Sequence, residues 1–208
     1  MIRVLLVDDQ QLIRAGLRML LDAEDGMEVV GEAGDGRAAV TLAAQLVPDV
    51  VVMDLRMPGV DGITATSRIT AERPATRVLV LTTFGDDEHL YPALQAGACG
   101  FLLKDAPPIE LLNGIRQAAA GDSPFSQEVL RRLVRRAVDA RPEQPTRVDG
   151  LTGREREVLD LVAEGLTNTE IADRLHIGIT TVKTHITALM TKTNSPNRVR
   201  LALVAHRT

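Results

Sequence analysis

The sequence predicts an α/β domain with a doubly wound, five-stranded parallel sheet, joined to a small all-α domain of four helices. Three observations support this prediction. In residues 1–121, short runs that are apolar nearly throughout alternate with stretches whose apolar residues recur every three or four positions. Residues 151–208 show only the helical pattern, and residues 122–150 include a proline-containing segment without apolar periodicity. A chain of 208 residues is long enough to bury two separate cores.

The first domain is predicted to contain five strands, because each run is apolar and rich in β-branched residues. The predicted strands are residues 3–7, 28–33, 50–53, 77–81 and 99–103. The predicted helices are residues 12–21, 37–45, 62–72, 87–95 and 109–120. Strands that are apolar on both faces and separated by helices form parallel sheets covered on both sides. The ligand site of such a domain lies at the carboxyl ends of its strands.

Residues 122–150 are predicted to connect the two domains. Residues 126–138 have a helical pattern, and its polar side carries Arg131, Arg132, Arg135 and Arg136. We interpret this side as a solvated helix face, with DNA contact as the alternative. The sequence ARPEQPTRVDG that follows has two prolines and predicts a flexible linker.

The second domain is predicted to contain a helix-turn-helix. Its four helices are predicted at residues 152–164, 168–175, 180–191 and 197–205. The sequence TNTE, which begins at Thr167, has the pattern of a capping box at the start of the second helix. The short turn HIG, which ends at Gly178, joins the second helix to the third, as in a helix-turn-helix.

Charge is distributed unevenly along the chain. Residues 1–125 carry 10 Lys and Arg against 18 Asp and Glu, whereas residues 176–208 carry five Lys and Arg and no acidic residue. This asymmetry indicates two tasks, with nucleic-acid binding expected of the tail. The single cysteine, Cys99, is predicted to be a core residue and fits a reducing cytoplasm, where we expect the protein. No apolar run reaches the about 18 residues of a membrane span, and the N-terminus lacks a signal-peptide pattern, so we expect no membrane association.

Acidic side chains follow two of the predicted strands. Asp8 and Asp9 end the first strand, and Asp54 follows the apolar run VVVM of the third. Because these strand ends are neighbours in a doubly wound sheet, we expect the three carboxylates to converge. Their mutual repulsion is relieved by a cation, and Mg²⁺ suits carboxylate oxygens.

Two further strand ends supply a hydroxyl and a lysine. Thr82 closes the fourth strand and Lys104 closes the fifth. With Mg²⁺ and Lys104 neutralising its oxygens and Thr82 donating a hydrogen bond, a phosphoryl group on Asp54 would be stabilised. Each residue alone has an ordinary interpretation, such as a helix cap, a strand end or a solvated charge. The hypothesis therefore depends on their joint occurrence.

The motifs LLVDDQ, VVVMDLRMPGVDG, VLTTF and GFLLKDA occur in this order in the first domain. Over residues 1–121 the chain resembles the flavodoxin-like receiver domains of two-component response regulators. The resemblance implies that Asp54 accepts a phosphoryl group from a sensor histidine kinase. It also implies a set of Mg²⁺ ligands, namely Asp8, Asp9, Asp54 and the backbone carbonyl of Arg56.

The same resemblance assigns the remaining receiver positions. Thr82 and Lys104 would contact the phosphoryl oxygens, and Thr82 and Phe101 would form the switch. Asp105 follows Lys104 where many receivers have proline, and Asp at this position is frequent in one subfamily.

The third helix of the second domain, TTVKTHITALMTK, has the pattern of a recognition helix. Val182, Ile186 and Leu189 form an inward stripe, and short polar side chains lie on the other side, where they can reach base edges in the major groove. Basic side chains suited to DNA phosphates are Lys192, Arg198 and Arg200. The alternative is a four-helix module that binds another protein.

The stretch LTGREREVLDLVAEGLTNTEIADRLHIGITTVKTHITALMTKT resembles the LuxR-type DNA-binding domain, with matches through most of residues 151–204. The resemblance implies groove-facing positions at Lys183, Thr184 and Thr187, and positions near the DNA backbone at Thr181 and His185. Glu155 would tie the first helix to the fold. Two departures are that Gly178 replaces a capping serine and Thr193 replaces a common leucine.

Together the two resemblances predict a transcriptional response regulator of the NarL/FixJ type. Phosphorylation of Asp54 would promote a homodimer that binds promoter DNA. One alternative is a protein of the same architecture that works without phosphate. Another is a Mg²⁺-dependent phosphohydrolase, but such enzymes commonly carry a second acid two residues after the nucleophile, where this chain has Arg56. A flavin-binding electron carrier is disfavoured because Asp8 and Asp9 would repel its phosphate.

Overall fold

The first domain contains a parallel sheet between two layers of helices. The computed structural model describes residues 1–83, 87–126, 129 and 150–205. The strands are β1 (Ile2–Val7), β2 (Met27–Ala33), β3 (Val50–Asp54), β4 (Arg77–Thr82) and β5 (Gly100–Leu103). The helices are α1 (Gln11–Asp22), α2 (Gly36–Leu46), α3 (Gly62–Glu72), α4 (Asp87–Gln95) and α5 (Pro108–Ala120). The strand order is β2-β1-β3-β4-β5 with every pair parallel, which confirms the predicted fold class.

Alternate residues of each strand pack against different helices. In β1, Val4 and Leu6 belong to a buried cluster that includes side chains of α1 and α5. Leu5 and Val7 belong to a second cluster, formed with side chains of α2 and α3. Since successive side chains of a strand point to opposite faces, both faces of the sheet are buried. This explains why the strands are apolar nearly throughout.

The sheet order brings the ends of β1 and β3 together. These two strands are neighbours, and Val7 pairs with Met53. The residues that follow, Asp8 and Asp54, therefore lie side by side at the carboxyl edge of the sheet. The strand order changes direction at this point, which is where α/β sheets of this type bind ligands.

Two strands extend one residue beyond their predicted ends. Asp54 belongs to β3 and pairs with Leu81, and Thr82 belongs to β4 and pairs with Leu103. Cys99 precedes β5 and is 5% exposed, which confirms its prediction as a core residue. Burial raises the pKa of its thiol to about 12.

The second domain contains the four predicted helices, α6 (Gly153–Ala163), α7 (Asn168–Leu175), α8 (Ile179–Lys192) and α9 (Arg198–Ala205). Capping boxes begin α6 at Thr152 and α7 at Thr167, the latter as predicted. Gly178 is the N-cap of α8 and provides no side-chain hydrogen bond. The predicted inward stripe of α8 is confirmed, because Val182, Ile186 and Leu189 are all buried in the core of this domain.

Part of the connector lies outside the described residues. The helix predicted at 126–138 falls there except for Ser126 and Val129, and its four arginines are among the residues not described. The linker predicted from ARPEQPTRVDG falls there as well, apart from Gly150. Among the described helices, none combines the length and the apolar character that crossing a membrane requires.

The two domains are in direct contact. The side-chain amide of Asn197 donates to the carbonyl oxygens of Leu94 (2.6 Å) and Ala98 (3.0 Å). Asn168 donates its backbone N–H to Asp122 Oδ1 (3.0 Å) and its side-chain amide to the carbonyl oxygen of Ala120 (3.0 Å). A cavity of about 380 Å³ lies beside these contacts and is lined by residues of both domains, including Thr187 of α8.

Candidate functional site

Three carboxylates converge at the carboxyl edge of the sheet. One oxygen from each of Asp8, Asp9 and Asp54 can be chosen so that all three lie within 4.8 Å of one another. Asp8 and Asp54 are 1% and 5% exposed, whereas Asp9 is exposed to solvent. The cluster therefore has two fixed carboxylates and one that faces water. Oxygen ligands in this arrangement fit Mg²⁺, which keeps part of its water shell when bound.

Lys104 is the counter-ion of two of these carboxylates. Its Nζ lies 2.6 Å from Asp8 Oδ2 and 2.9 Å from Asp54 Oδ2. Lys104 follows β5, and its side chain is 13% exposed, so the ion pairs are largely shielded from water. Burial disfavours its charge, but the hydrogen bonds to Asp8 and Asp54 outweigh this effect and raise the pKa of Lys104 above its usual value.

Asp54 is held in an environment that disfavours its ionised form. Burial raises the pKa of Asp54, and the negative charge of Asp8 raises it further. Lys104 and the N–H of Arg56, which is 3.3 Å from Asp54 Oδ1, act in the opposite direction without cancelling the rise. A divalent cation at this edge would favour the carboxylate of Asp54. The structure thus brings Asp54 together with Asp8, Asp9 and Lys104.

The chain after β3 must pass close to the backbone of Asp54. A Cβ on Gly62, the first residue of α3, would lie 2.0 Å from the carbonyl oxygen of Asp54. Asp61 caps α3 by accepting a hydrogen bond from the N–H of Thr64 (2.8 Å), and Gly59 adopts a positive φ of 78°. The sequence PGVDG therefore folds as a tight loop that packs against the backbone of Asp54.

The backbone of the β1–α1 turn is anchored at Asp8. Asp8 Oδ1 accepts a hydrogen bond from the N–H of Gln10 (2.9 Å), and the N–H of Asp8 donates to the carbonyl oxygen of Ala33 (3.1 Å). Arg14 Nη1 donates to the carbonyl oxygen of Asp8 (2.5 Å). Sequence reasoning missed Arg14, because the spacing of an arginine along α1 does not reveal that it turns back to the strand end.

Of the two predicted switch residues, Phe101 lies next to the connector. Thr82 Oγ1 makes a long hydrogen bond to the carbonyl oxygen of Thr83 (3.4 Å). Phe101 is fully buried, and the ring of Phe125 stacks on it with centroids 6.0 Å apart and an interplanar angle of 19°. The backbone on either side of Phe125 pairs with β5, because the N–H of Phe101 donates to Pro124 (2.9 Å) and its carbonyl accepts from Ser126 (3.0 Å). The connector therefore begins as an edge segment beside the switch residue.

Sequence reasoning also missed Phe125. The chain has only three phenylalanines and one tyrosine, so an aromatic residue five positions after the end of α5 was an available signal. The buried cluster around Phe101 includes Val129 of the connector, and Val199 of α9 packs against it. One apolar cluster thus touches the switch residue, the connector and the second domain.

The groove and DNA-backbone positions predicted on α8 are mostly accessible. Thr181, Lys183 and Thr184 are exposed, and His185 is half-buried. Thr187 is exposed as well but lines the cavity between the domains. The hydroxyl groups of Thr184 and Thr187 donate to carbonyl oxygens one turn earlier in the helix, at 3.0 and 2.9 Å. To hydrogen-bond a base edge, these hydroxyls would have to break their bonds to the helix carbonyls.

The three predicted phosphate-binding cations are engaged to different degrees. Lys192 Nζ lies 2.7 Å from Glu155 Oε2, so Glu155 links α6 to α8, the structural role expected of it. Arg198 donates to Asn168 Oδ1 (2.7 Å) and to the carbonyl oxygen of Leu166. Arg200 is half-buried, and its backbone N–H donates to the Asn197 side chain (2.9 Å). Phosphate contacts of Arg198 would require these internal bonds to be exchanged.

Comparisons with known proteins cover both domains. The model of the response regulator receiver domain matches residues 4–116, and the model of bacterial regulatory proteins of the luxR family matches residues 149–205. The transcriptional regulatory protein LiaR of Bacillus subtilis (strain 168) is 45% identical over 211 residues, which cover 100% of this chain and 98% of LiaR. The response regulator protein VraR of Staphylococcus aureus (strain NCTC 8325 / PS 47) is 38% identical over 204 residues, covering 98% and 96%.

Solved structures give the same result. The response regulator ChrA of a heme-sensing two-component system superposes with a TM-score of 0.56 at 38% identity, covering 99% of this chain and 96% of ChrA. A structure of two RcsB dimers bound to two parallel DNAs superposes with a TM-score of 0.59 at 28% identity, covering 100% and 98%. Both similarities extend over the two domains together.

Proposed function

The chain belongs to the NarL/LuxR family of two-component response regulators, and from this premise we propose that Asp54 is its phosphoryl acceptor and that phosphorylation controls DNA binding. The family assignment follows from the two matching domain models and from relatives that align over nearly the whole chain. The chain is therefore a transcriptional regulator with a receiver domain and a LuxR-type DNA-binding domain, as its motifs predicted.

The observation that carries the proposal is the clustering of Asp8, Asp9 and Asp54 with Lys104 at one sheet edge. Asp54 Oδ attacks the phosphorus atom of a phosphohistidine on a sensor kinase, the P–N bond breaks, and the imidazole leaves and takes up a proton. Mg²⁺ bound by Asp8, Asp9, Asp54 and the Arg56 carbonyl would supply charge neutralisation for the transferred group. These ligands remain a proposal, supported by the donor set and its spacing.

Lys104 has a second role in this scheme. In the unphosphorylated protein its ammonium group is shared between Asp8 and Asp54. A phosphoryl group on Asp54 replaces one negative charge by nearly two, so Lys104 gains a stronger partner at the same place. We place the Thr82 hydroxyl on a second phosphoryl oxygen, because Thr82 ends the strand next to β3.

Phosphorylation is proposed to act on the domain contact through the switch residues. Movement of Thr82 towards the phosphoryl group would leave space for Phe101 to move, and Phe101 contacts Phe125 and lies in the cluster that Val199 packs against. The contact also includes Asn197, which donates to the carbonyl oxygens of Leu94 in the last turn of α4 and of Ala98 between α4 and β5. A shift of β5 would therefore weaken the contact between the domains both at the Phe101 cluster and at Asn197.

Release of the second domain would remove the receiver from the side of α8 that carries Thr187. Thr187 is exposed but lines the cavity between the domains, and a recognition helix must have its whole contact face open to enter the major groove. We propose groove contacts by Lys183, Thr184 and Thr187, backbone contacts by Thr181 and His185, and phosphate contacts by Lys192, Arg198 and Arg200. Converting a population from 1:99 to 99:1 in the open form requires about 5.5 kcal/mol of differential stabilisation.

Partners follow from the same scheme. We propose a sensor histidine kinase as phosphodonor, promoter DNA as target and a homodimer as the active form, since two copies place two recognition helices on neighbouring half-sites. The structure of RcsB dimers on DNA supports the dimer by similarity. We also propose that the chain accepts a phosphoryl group without being a classical enzyme, because Leu55 and Arg56 follow Asp54 where phosphohydrolases carry a second acid.

The domain limits are part of the proposal. We assign residues 1–121 to the receiver, 122–150 to the connector and 151–208 to the DNA-binding domain. Support comes from Gly121, which ends α5 with a positive φ of 88°, and from Thr152, which caps α6. The pairing of residues 124–126 with β5 means that the connector starts in contact with the receiver.

The experiment is to capture genomic DNA fragments with the full chain, with and without acetyl phosphate and Mg²⁺. The wild type should enrich a defined set of promoter fragments more strongly after phosphorylation, and Asp54→Asn should show no such increase. An equal increase in Asp54→Asn would remove Asp54 from the control of DNA binding. A lack of fragment enrichment in either state would contradict the DNA-binding function.

A further inference from the structure

Arg14 lies behind the acidic cluster and contacts its backbone. Its Nη1 donates to the carbonyl oxygen of Asp8 (2.5 Å), and its side chain is only 17% exposed. A Cβ on Gly34 would lie 3.7 Å from the same Nη1, so the guanidinium also lies against the turn after β2. Arg14 thus joins α1 to two adjacent strand ends.

Glu32 of β2 forms an ion pair with this guanidinium, but Arg14 Nε makes no hydrogen bond to it. Glu32 Oε2 lies 3.5 Å from Arg14 Nε, and its other oxygen accepts a hydrogen bond from Arg18 Nε (2.5 Å). Arg18 is on the same helix as Arg14, but its side chain is 41% exposed. The two arginines therefore share one carboxylate, while the contact to Asp8 is made by Arg14.

Asp8 is restrained at every polar atom. Lys104 and the N–H of Gln10 bind its carboxylate oxygens at 2.6 and 2.9 Å, and its N–H donates to Ala33. Lys104 would release Asp8 Oδ2 when a cation takes that oxygen. The bond from Arg14 to the Asp8 carbonyl does not involve the carboxylates, so it can persist through the cycle.

We propose that Arg14 is a positioning residue that fixes the Asp8–Asp9 turn for Mg²⁺ binding. The role rests on the magnesium binding proposed above. Arg14 holds the main chain between the two aspartates. The exposed Asp9 carboxylate therefore has less conformational entropy to lose when it binds the ion. Hydrogen bonds that support metal ligands from outside contribute to metal affinity in this way.

The direction in which loss of Arg14 changes Mg²⁺ affinity distinguishes a positioning role from a purely electrostatic one. A cation beside three carboxylates repels Mg²⁺, so its removal should strengthen binding if charge were its only contribution. If Arg14 positions the turn, its removal weakens binding instead. Arg14→Gln removes the charge and shortens the side chain, so that it no longer reaches the Asp8 carbonyl. Arg14→Lys keeps the charge but loses the planar guanidinium with its several donors. Arg18→Gln is the matched control, since it removes a positive charge from the same Glu32 without touching Asp8.

The test is calorimetric titration of the metal-free, full-length chain with MgCl₂. We expect Arg14→Gln to bind about tenfold more weakly than the wild type, Arg14→Lys to lie between them, and Arg18→Gln to stay within about twofold of the wild type. In the metal-free protein, the amide of Gln10 should exchange with solvent faster in Arg14→Gln, because Asp8 Oδ1 is less firmly held. With acetyl phosphate, the Mg²⁺ concentration for half-maximal rate should rise while the rate at saturating Mg²⁺ stays unchanged.

Equal or tighter Mg²⁺ binding by Arg14→Gln would overturn the positioning role while leaving the proposed function intact. If Arg14→Gln does not fold, Arg14→Lys decides: binding at least about twofold weaker than the wild type supports the role, and equal binding overturns it. Absence of Mg²⁺ uptake by the wild type would instead overturn the proposed function itself.

Discussion

Lys104 Nζ lies 2.9 Å from Asp54 Oδ2, so the proposed phosphoryl acceptor carries an internal counter-ion before any phosphate arrives. The same ammonium group lies 2.6 Å from Asp8 Oδ2. Lys104 therefore occupies carboxylate oxygens that a magnesium ion would also use. Because of this competition, removal of the Lys104 charge should change Mg²⁺ affinity and the rate of phosphoryl transfer in opposite directions.

Replacing Lys104 by Met should strengthen Mg²⁺ binding and slow phosphorylation. Metal binding strengthens because a competing cation is removed from Asp8 and Asp54. Phosphorylation from acetyl phosphate at saturating Mg²⁺ should fall about a hundredfold, the usual scale for loss of one group that neutralises a developing charge. Calorimetry and single-turnover rates measure the two effects, with Lys104→Arg as a variant that keeps the charge. Parallel changes in affinity and rate would contradict the competition.

The phosphorylation rate should depend on pH through Asp54. Burial raises the pKa of Asp54, and only its ionised form is a nucleophile, so the rate at limiting Mg²⁺ should fall as the pH drops through a value above the usual 3.8. Bound cation favours the carboxylate, and the profile should therefore move to lower pH as Mg²⁺ is increased. Initial rates with acetyl phosphate, measured as a pH series at several Mg²⁺ concentrations, test this. A profile independent of Mg²⁺ would be inconsistent with it.

Asn197→Asp should open the contact between the domains. Aspartate can still cap α9, since its oxygen accepts the N–H of Arg200, but it cannot donate to the carbonyls of Leu94 and Ala98. Loss of two buried hydrogen bonds at about 1 kcal/mol each, with a carboxylate now facing carbonyl oxygens, should raise the DNA affinity of the unphosphorylated protein at least about tenfold. Small-angle scattering should show a larger radius of gyration.

The control for this substitution is Asn194→Asp, which adds the same charge at an exposed residue three positions earlier. Asn194→Asp should leave both the radius of gyration and the DNA affinity unchanged. If Asn197→Asp opened the protein without any gain in DNA affinity, docking on the receiver would not be what restrains α8.

Glu155 should make the DNA-binding domain sensitive to acid. Its hydrogen bond to Lys192, together with those to Thr152, lowers the pKa of Glu155 from 4.5 to about 2. A lowered pKa in the folded state gives stability that is present above about pH 4.5 and is lost as the pH falls towards 2. The difference in unfolding free energy between the wild type and Glu155→Gln should therefore shrink over this range.

Urea unfolding followed by NMR signals of α6 measures that difference in the full-length chain. Glu157→Gln provides a control, because Glu157 is an exposed residue of the same helix and pairs with Arg154. The two variants are compared at each pH. A Glu155→Gln effect that stays constant from about pH 5 to 3 would show that the Lys192 contact does not shift the titration of Glu155.

The sheet and its acidic edge could be predicted because both follow from local patterns. Apolar runs such as residues 50–53 indicate buried strands, and the parallel topology then places Asp8 and Asp54 at neighbouring strand ends. The predicted ends of β3 and β4 were one residue short, because Asp54 and Thr82 break the apolar pattern while still pairing with the adjacent strand.

The contacts that connect the parts of the protein could not be predicted in this way. Arg14 reaches the Asp8 carbonyl across a turn, and Phe125 stacks on a residue 24 positions earlier. Asn197 meets Leu94 and Ala98 only because the two domains dock. Each depends on side-chain direction or domain placement, which hydrophobic periodicity does not encode.

The most direct test of the account is intact-protein mass spectrometry of the wild type after incubation with acetyl phosphate and MgCl₂. Addition of about 80 Da, one phosphoryl group, is expected for the wild type and not for Asp54→Asn, and the addition should disappear when EDTA replaces the magnesium. A wild type that gains no such mass, or an Asp54→Asn variant that gains as much as the wild type, would contradict the assignment of Asp54 as the phosphoryl acceptor.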